Sequence, residues 1–427
     1  MNILSASYLL AMTHDFPVLP HGAVAVEGSV IKDVGTKEEL QERYPNAKPL
    51  HFENHVLMPG LVNAHCQLDL IGFYESILGN KDLFEPQHYV ETLIASMHYR
   101  NKLDVQEAMD VAKTALSRLA NTGTTTVGAM TCKEASLKLL ADSKLRVMAY
   151  PEIVLGQGEK AQENFEIAMA LAERYSEMQL SRMKTGVGPY APYLLSRNTL
   201  RMLSLFCRNM KLPLQIHAAE AFAEMEFFFD SEGPMLKLFE HMGWQQPSPQ
   251  HKTPIQYLAD IGFLDAPVCI VGCLHLSEKD LPLMARHLTQ VVYSPITNLV
   301  MGHGTLPLAK LRDAGIPIGL GSQLWNGKSG LSLWTEMREA LRQGSDPLPS
   351  ASELLRMATV GGARALGLEQ ECGTLEMGKQ ADIIAVKLPE ACSEKNLSEQ
   401  LIQHTEDTDI SYASVAGDVL KHTGDTC

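Results

Sequence analysis

Apolar and polar positions along the chain fall into two regimes. At both ends, short β-rich runs are separated by glycine turns. "GAVAVEGSVIKDVG" (Gly22 to Gly35) sets two such runs around Glu27-Gly28, a hairpin signal. "CGTLEMGKQADIIAVK" (Cys372 to Lys387) and "DISYASVAGDVLKHTG" (Asp409 to Gly424) repeat the pattern near the C-terminus. Together they predict one small β-sandwich domain formed by both termini.

Between the ends, apolar runs alternate with helical periodicity. Eight runs read as strands: "HVLMPGLVNAH", "TTTVGAM", "LRVMAYPEI", "MKTGVGPYAP", "LPLQIHAAE", "VCIVGCLHL", "QVVYSPIT" and "IPIGLGSQL". The clearest helix is "DVQEAMDVAKTALSRLANTG", opened by Asp104 and Glu107 as a capping pair and closed by Gly123. Its Ala108, Ala112, Ala115, Leu116 and Leu119 share one face. Eight strand–helix units predict an α/β fold with a TIM-like (β/α)8 barrel. The expected boundaries are a barrel over residues 56–368, with residues 1–55 and 369–427 contributing the β-sandwich.

Composition narrows the classes. The 427 residues are 45% hydrophobic and 20% charged, ordinary for a globular protein, and the net charge of -14 argues against nucleic acid or an anionic membrane as partner. No apolar run reaches the length of a membrane span, and the N-terminus lacks a basic region ahead of an apolar one. The eight cysteines form no CxxC pair, so free or buried thiols and a cytoplasmic setting are expected.

A barrel of this type carries its chemistry at the C-terminal ends of its strands. Those ends supply His65 and Gln67, which lie two residues apart and so share one face. Further along come Tyr190, His217 with Glu220, Gly272 followed by His275, Tyr293 and Asn298, and Ser322, Gln323 and Trp325. Tyr190, Tyr293, Asn298 and Trp325 are the expected substrate contacts, and Asp69 reads as a solvated loop acid. Cys66 should point away from His65 and is not expected to be a nucleophile.

These stretches, with "LMPGLVNAHCQLDL", "GPYAPY", "IHAAEAFAEMEFF", "SPITNLVMGHG" and "LRMATVGGARALG", resemble the amidohydrolase superfamily. The likeness lies in its branch of chlorohydrolases and nucleoside-type deaminases, and is greatest to the aminodeoxyfutalosine deaminase group. The resemblance implies a barrel with a terminal β-sandwich, one divalent metal, and hydrolysis at a non-peptide carbon–nitrogen bond. It makes His65 and His217 metal ligands and Glu220 the proton-delivering acid. Four positions depart from it. Gln67 stands where a second strand-one His is expected, Gly272 where a strand-six His is expected, and Gln323 where a strand-eight Asp is expected. Tyr190 also replaces a strand-four His.

A neutral amide is a weak ligand for zinc or iron and cannot act as a general base near neutral pH. Two readings follow. One is a hydrolase or deaminase of a purine-like or heteroaromatic amine that holds zinc or iron weakly through His65 and His217. The other is a metal-free pseudoenzyme that binds a small molecule or a partner subunit. A homodimer is an expectation by analogy with the family.

Overall fold

The computed structural model describes residues 1–13, 18–78, 89–155, 160–323, 330–344, 348–390 and 392–423. Trp325 lies outside them.

The middle of the chain closes into the expected barrel. Its parallel strands are, in order, Leu61–Gln67, Thr124–Thr131, Arg146–Ile153, a fourth split into Met183–Thr185 and Gly188–Pro189, then Leu214–Ala218, Val268–Gly272, Gln290–Tyr293 and Ile318–Leu320. Two hydrogen-bonded series of strands form this wall, and the backbone joins them at both seams. The Gln215 amide donates to the Val187 carbonyl at 3.1 Å, and the Ser322 amide donates to the His65 carbonyl at 3.1 Å. Inward-facing Val62, Ala64, Met130, Met148, Tyr150, Val271 and Val292 fill the interior, so the barrel is a packed core rather than a pore. The helix over Val105–Asn121 forms as expected. The Asp104 carboxylate accepts from the Glu107 amide at 2.8 Å, Gly123 adopts φ +84° just past its end, and Ala108, Ala112, Ala115 and Leu119 are buried.

Both termini build the β-domain. Its strands run in the order Asp418–His422, Ile410–Val415, Ile383–Lys387, Lys48–Pro59, Asn2–Leu9, Gly22–Glu27 and Val30–Thr36, with Leu19–Pro20 beside Asn2–Leu9. The run "HVLMPGLVNAH" is therefore two strands rather than one. Lys48–Pro59 belongs to the terminal sheet and reaches four residues past the boundary expected at residue 55; Leu61–Gln67 belongs to the barrel. Gly60 alone separates them. A side chain there would collide with Thr125, only 2.1 Å from where a Cβ would sit, so glycine is required where the chain passes from one layer to the other.

The pair Gly361-Gly362 has the same logic beneath the barrel. A Cβ on Gly361 would lie 2.2 Å from the Ile318 carbonyl oxygen, and one on Gly362 would lie 2.6 Å from that of Val62. This glycine-bearing helical turn therefore presses directly on the first and eighth strands. Arg146, at the lower end of the third strand, joins barrel to β-domain. It donates two bonds to the Asp382 carboxylate at 2.8 and 3.0 Å and one to Glu371 at 3.0 Å.

Candidate active site

The upper ends of strands one, three and five bring one buried polar cluster together. His65, Gln67, Glu152, Gln215, His217 and Glu220 are each at most 7% exposed. The rings of His65 and His217 meet edge to face, with centroids 4.8 Å apart. Tyr190 stacks on His217 at 5.1 Å, and the Arg100 guanidinium lies over the Tyr190 ring at 5.2 Å. Arg100 also pairs with Glu152 at 2.8 Å.

The hydrogen bonds fix which ring nitrogens carry protons. The Gln215 amide nitrogen donates to the Ala64 carbonyl at 3.0 Å, so its oxygen is the acceptor that faces His65 Nδ1 at 2.7 Å. His65 must donate from Nδ1. Burial, then the neighbouring His217, pushes its pKa down to about 3, so the ring is neutral and Nε2 holds a lone pair. The Gln67 amide nitrogen points at Glu152 Oε1 at 3.4 Å and at His217 Nε2 at 3.3 Å. His217 Nε2 is thus an acceptor, and Nδ1 carries the proton that faces Glu220 Oε2 at 3.2 Å. Burial works to raise the Glu220 carboxyl, but the His217 ring outweighs it, with His303 and His65, and holds it at about 2. Burial raises Glu152 above the usual carboxylate range against the pull of Arg100.

Glu224 holds the Glu220 loop in place. Its carboxyl accepts the Ala219, Glu220 and Ala221 amides at 3.0, 3.0 and 3.3 Å. Burial, followed by the Glu220 charge, raises Glu224 to about 7.

Several polar atoms at the strand ends are left buried without a partner: His65 Nε2, Gln67 Oε1, Gln323 Nε2 and Ser294 Oγ. Unpaired buried polar groups cost stability, so their gathering at one strand-end cluster is a mark of a ligand site.

Not every expected residue joins this cluster. Tyr293 alternates outward from the interior Val292 and donates its hydroxyl to Gln343 at 2.9 Å in the helical layer, so it packs rather than facing the mouth. Asp69 is not a solvated loop acid. It is buried and accepts from the Thr131 hydroxyl and the Cys132 amide, each at 2.7 Å, tying the exits of strands one and two. Asn298 is buried on the short helix that continues strand seven. His275 donates from Nε2 to the His303 carbonyl, 2.9 Å away. Cys66 faces the outer core, and burial pushes its thiol up to about 12, far from a nucleophile. Sequence reading missed Arg100, Glu152, Gln215 and Glu224. Glu152, as the polar end of "LRVMAYPEI", and Gln215, two residues before His217 on the same strand face, had a signal.

Gly272 holds a backbone conformation that a side chain would strain. It adopts φ +108°, and a Cβ there would sit 2.9 Å from Glu220 Cβ and 3.1 Å from the Ala218 carbonyl oxygen. Glu220 and its loop occupy the room a strand-six side chain would need.

The donors available fit a tightly held zinc or iron ion poorly. Two imidazoles and two neutral amides remain; Glu152 is engaged by Arg100, and Glu220 by His217. Among the described residues, no group of three or more His, Cys, Asp or Glu could hold a metal ion.

A closed barrel with polar strand ends, capped by a sheet from both termini, defines a metal-hydrolase-like architecture, and the chain belongs to the amidohydrolase family. The "Amidohydrolase family" model matches residues 56–421, and an "Imidazolonepropionase-like composite domain, bacteria" matches residues 22–47. Among the most similar relatives is a 5-methylthioadenosine/S-adenosylhomocysteine deaminase of Desulfitobacterium hafniense, 27% identical over 393 residues, covering 90% of this chain and 84% of that one. An aminodeoxyfutalosine deaminase of Nitratiruptor is 25% identical over 381 residues, covering 88% and 90%. The aminofutalosine deaminase of Helicobacter pylori superposes with a TM-score of 0.84 at 20% identity, covering 98% and 99% of the two chains. An adenosine deaminase from Xanthomonas campestris, solved with bound zinc, superposes at 0.80 with 21% identity, covering 100% and 94%. No described helix is long and apolar enough to cross a membrane.

Proposed function

We propose that this protein binds an adenosine-like small molecule through its aminated heteroaromatic edge, in the barrel mouth, and that metal-dependent hydrolysis of that amine is weak or lost. The class of ligand comes from relatives that deaminate 5-methylthioadenosine, S-adenosylhomocysteine and aminodeoxyfutalosine. The loss of turnover is argued from one observation. Gln67 and Gln323 present amides where a tightly bound ion would need imidazole and carboxylate.

The free atoms suit an intact amine. His65 Nε2 and Gln67 Oε1 are acceptors, and Gln323 Nε2 is a donor. An exocyclic amino group donates two hydrogens, and the ring nitrogen beside it accepts one. The deaminated product reverses this pattern, with an oxo acceptor beside a ring N–H. Leaving buried groups unmatched costs about 1–3 kcal/mol each, so inosine should bind about tenfold or more weaker than adenosine.

Melting shifts with adenosine, 5-methylthioadenosine and inosine test the reading, together with elemental analysis and an ammonia assay. The expected result is stabilisation by the amines, little by inosine, no ammonia, and no zinc or iron whose retention depends on His217. Near-stoichiometric zinc that disappears in His217→Ala, accompanied by ammonia release from adenosine, would overturn it.

A further inference from the structure

A second pair of histidines lies far from the mouth cluster in exposure and in chemistry. His98 stands on the helix Tyr89–Lys102, and His241 ends the helix Leu236–His241. Both are exposed, their rings meet edge to face at 5.0 Å, and their Nε2 atoms are 3.1 Å apart. We propose that His98 and His241 form a surface site that chelates a divalent transition metal such as zinc, nickel or copper, clamping these two helices together.

The geometry carries the proposal. A metal–imidazole distance of about 2.0–2.1 Å with nitrogens 3.1 Å apart requires an N–metal–N angle of about 100°, within the range of tetrahedral and tetragonal sites. The nitrogen separation already suits it, and a small rotation of the exposed rings aims both lone pairs at one ion. Without metal, one Nε2–H donates to the other Nε2. With metal, that proton sits on Nδ1 of the same ring, so both Nε2 lone pairs face the ion. Water completes the coordination on the open side. The two helices are already held in register by Lys237 and Glu91, paired at 2.8 Å. This preorganisation lowers the entropy lost on chelation.

The clamp would act on the barrel mouth at one remove. His98 is two residues before Arg100, whose pairing with Glu152 orients Gln67, and the same helix begins at Tyr89, which packs on His303 at 4.9 Å. Fixing this helix fixes one wall of the candidate site.

The inference does not depend on the proposed function, and its test separates the two. Purified protein is stripped with chelator and titrated with zinc alone, in wild type, His98→Ala, His241→Ala and His217→Ala. Even an outer partner's loss typically costs about 10–100-fold in metal affinity, so removing one of two donors should cost at least about tenfold. Wild type and His217→Ala should bind one zinc and melt higher with it, while His98→Ala and His241→Ala lose both effects. Because both histidines are exposed, neither variant should fail to fold; an unchanged melting temperature without zinc confirms this. Zinc that binds equally well in His98→Ala and His241→Ala overturns the clamp, as does a wild-type protein that binds none. Zinc lost only in His217→Ala overturns the clamp and the proposed function together.

Discussion

The two ends of the third barrel strand each hold a buried arginine–carboxylate pair, and the pairs differ in kind. At the lower end, Arg146 grips Asp382 with two bonds and Glu371 with a third, while the Ala416 amide adds a 2.7 Å bond to the same Asp382. At the upper end, Glu152 meets Arg100 through one 2.8 Å contact and takes only a long 3.4 Å bond from Gln67. The lower pair is bidentate and saturated, as a joint between two layers should be. The upper pair is sparse and surrounded by unpaired atoms, as a place reserved for something else should be. Stability sits at the floor of the barrel and the candidate ligand site at its mouth.

The largest expected effect breaks the floor. Arg146→Met leaves the Asp382 charge buried alone and should lower unfolding free energy by about 3–5 kcal/mol in denaturant titration. Arg100→Met should cost less, about 1–3 kcal/mol, because burial already favours the neutral form of Glu152; its larger effect should be loss of the adenosine-dependent melting shift. Equal costs for the two variants would erase the contrast. Gly272→Ala sharpens it within the mouth. Forcing a Cβ into that positive-φ position beside Glu220 should cost about 1–2 kcal/mol, and Gly272→His more, so reinstating a strand-six histidine should not rebuild a metal site by itself.

The smallest effect is a pH trend. Burial raises Glu336, on the helix Leu333–Arg342, to about 8, although its carboxyl accepts the Ile296 amide at 2.8 Å. Its folded pKa lies above its unfolded one, so its contribution is fully present below about pH 4.5 and disappears as pH rises toward and through 8. Glu336→Gln should melt with a flatter pH dependence across that window than wild type. An identical dependence would show that the acid is not held neutral by the fold.

Much of the architecture was legible in the chain. The eight strand runs, the capped helix from Asp104 and the glycine-punctuated ends follow from periodicity, which reports burial one element at a time. The break at Gly60 was not legible, because an apolar run continues through it and only the collision with Thr125 reveals why it is glycine. In the candidate site, strand parity brings Gln67 to His217, whereas Glu220 lies past the strand end and reaches His217 from a loop held by Glu224. Tyr293 is where parity was misread: strand seven is only four residues long, and one position's shift turns its side chain outward. Arg100 was invisible, because a buried arginine on a helix is chosen by a partner on a distant strand, and that pairing leaves no trace in local pattern.

Gly60 also sets how the molecule can be taken apart. The chain leaves the terminal sheet and enters the first barrel strand across a single residue, whose amide is held by the Asp382 carbonyl at 3.0 Å. No stretch of slack exists there to act as a joint, so the sheet and barrel must turn as one piece. Cutting the gene near that point would strip the barrel's opening stave of its anchorage, and neither fragment should be expected to stand alone.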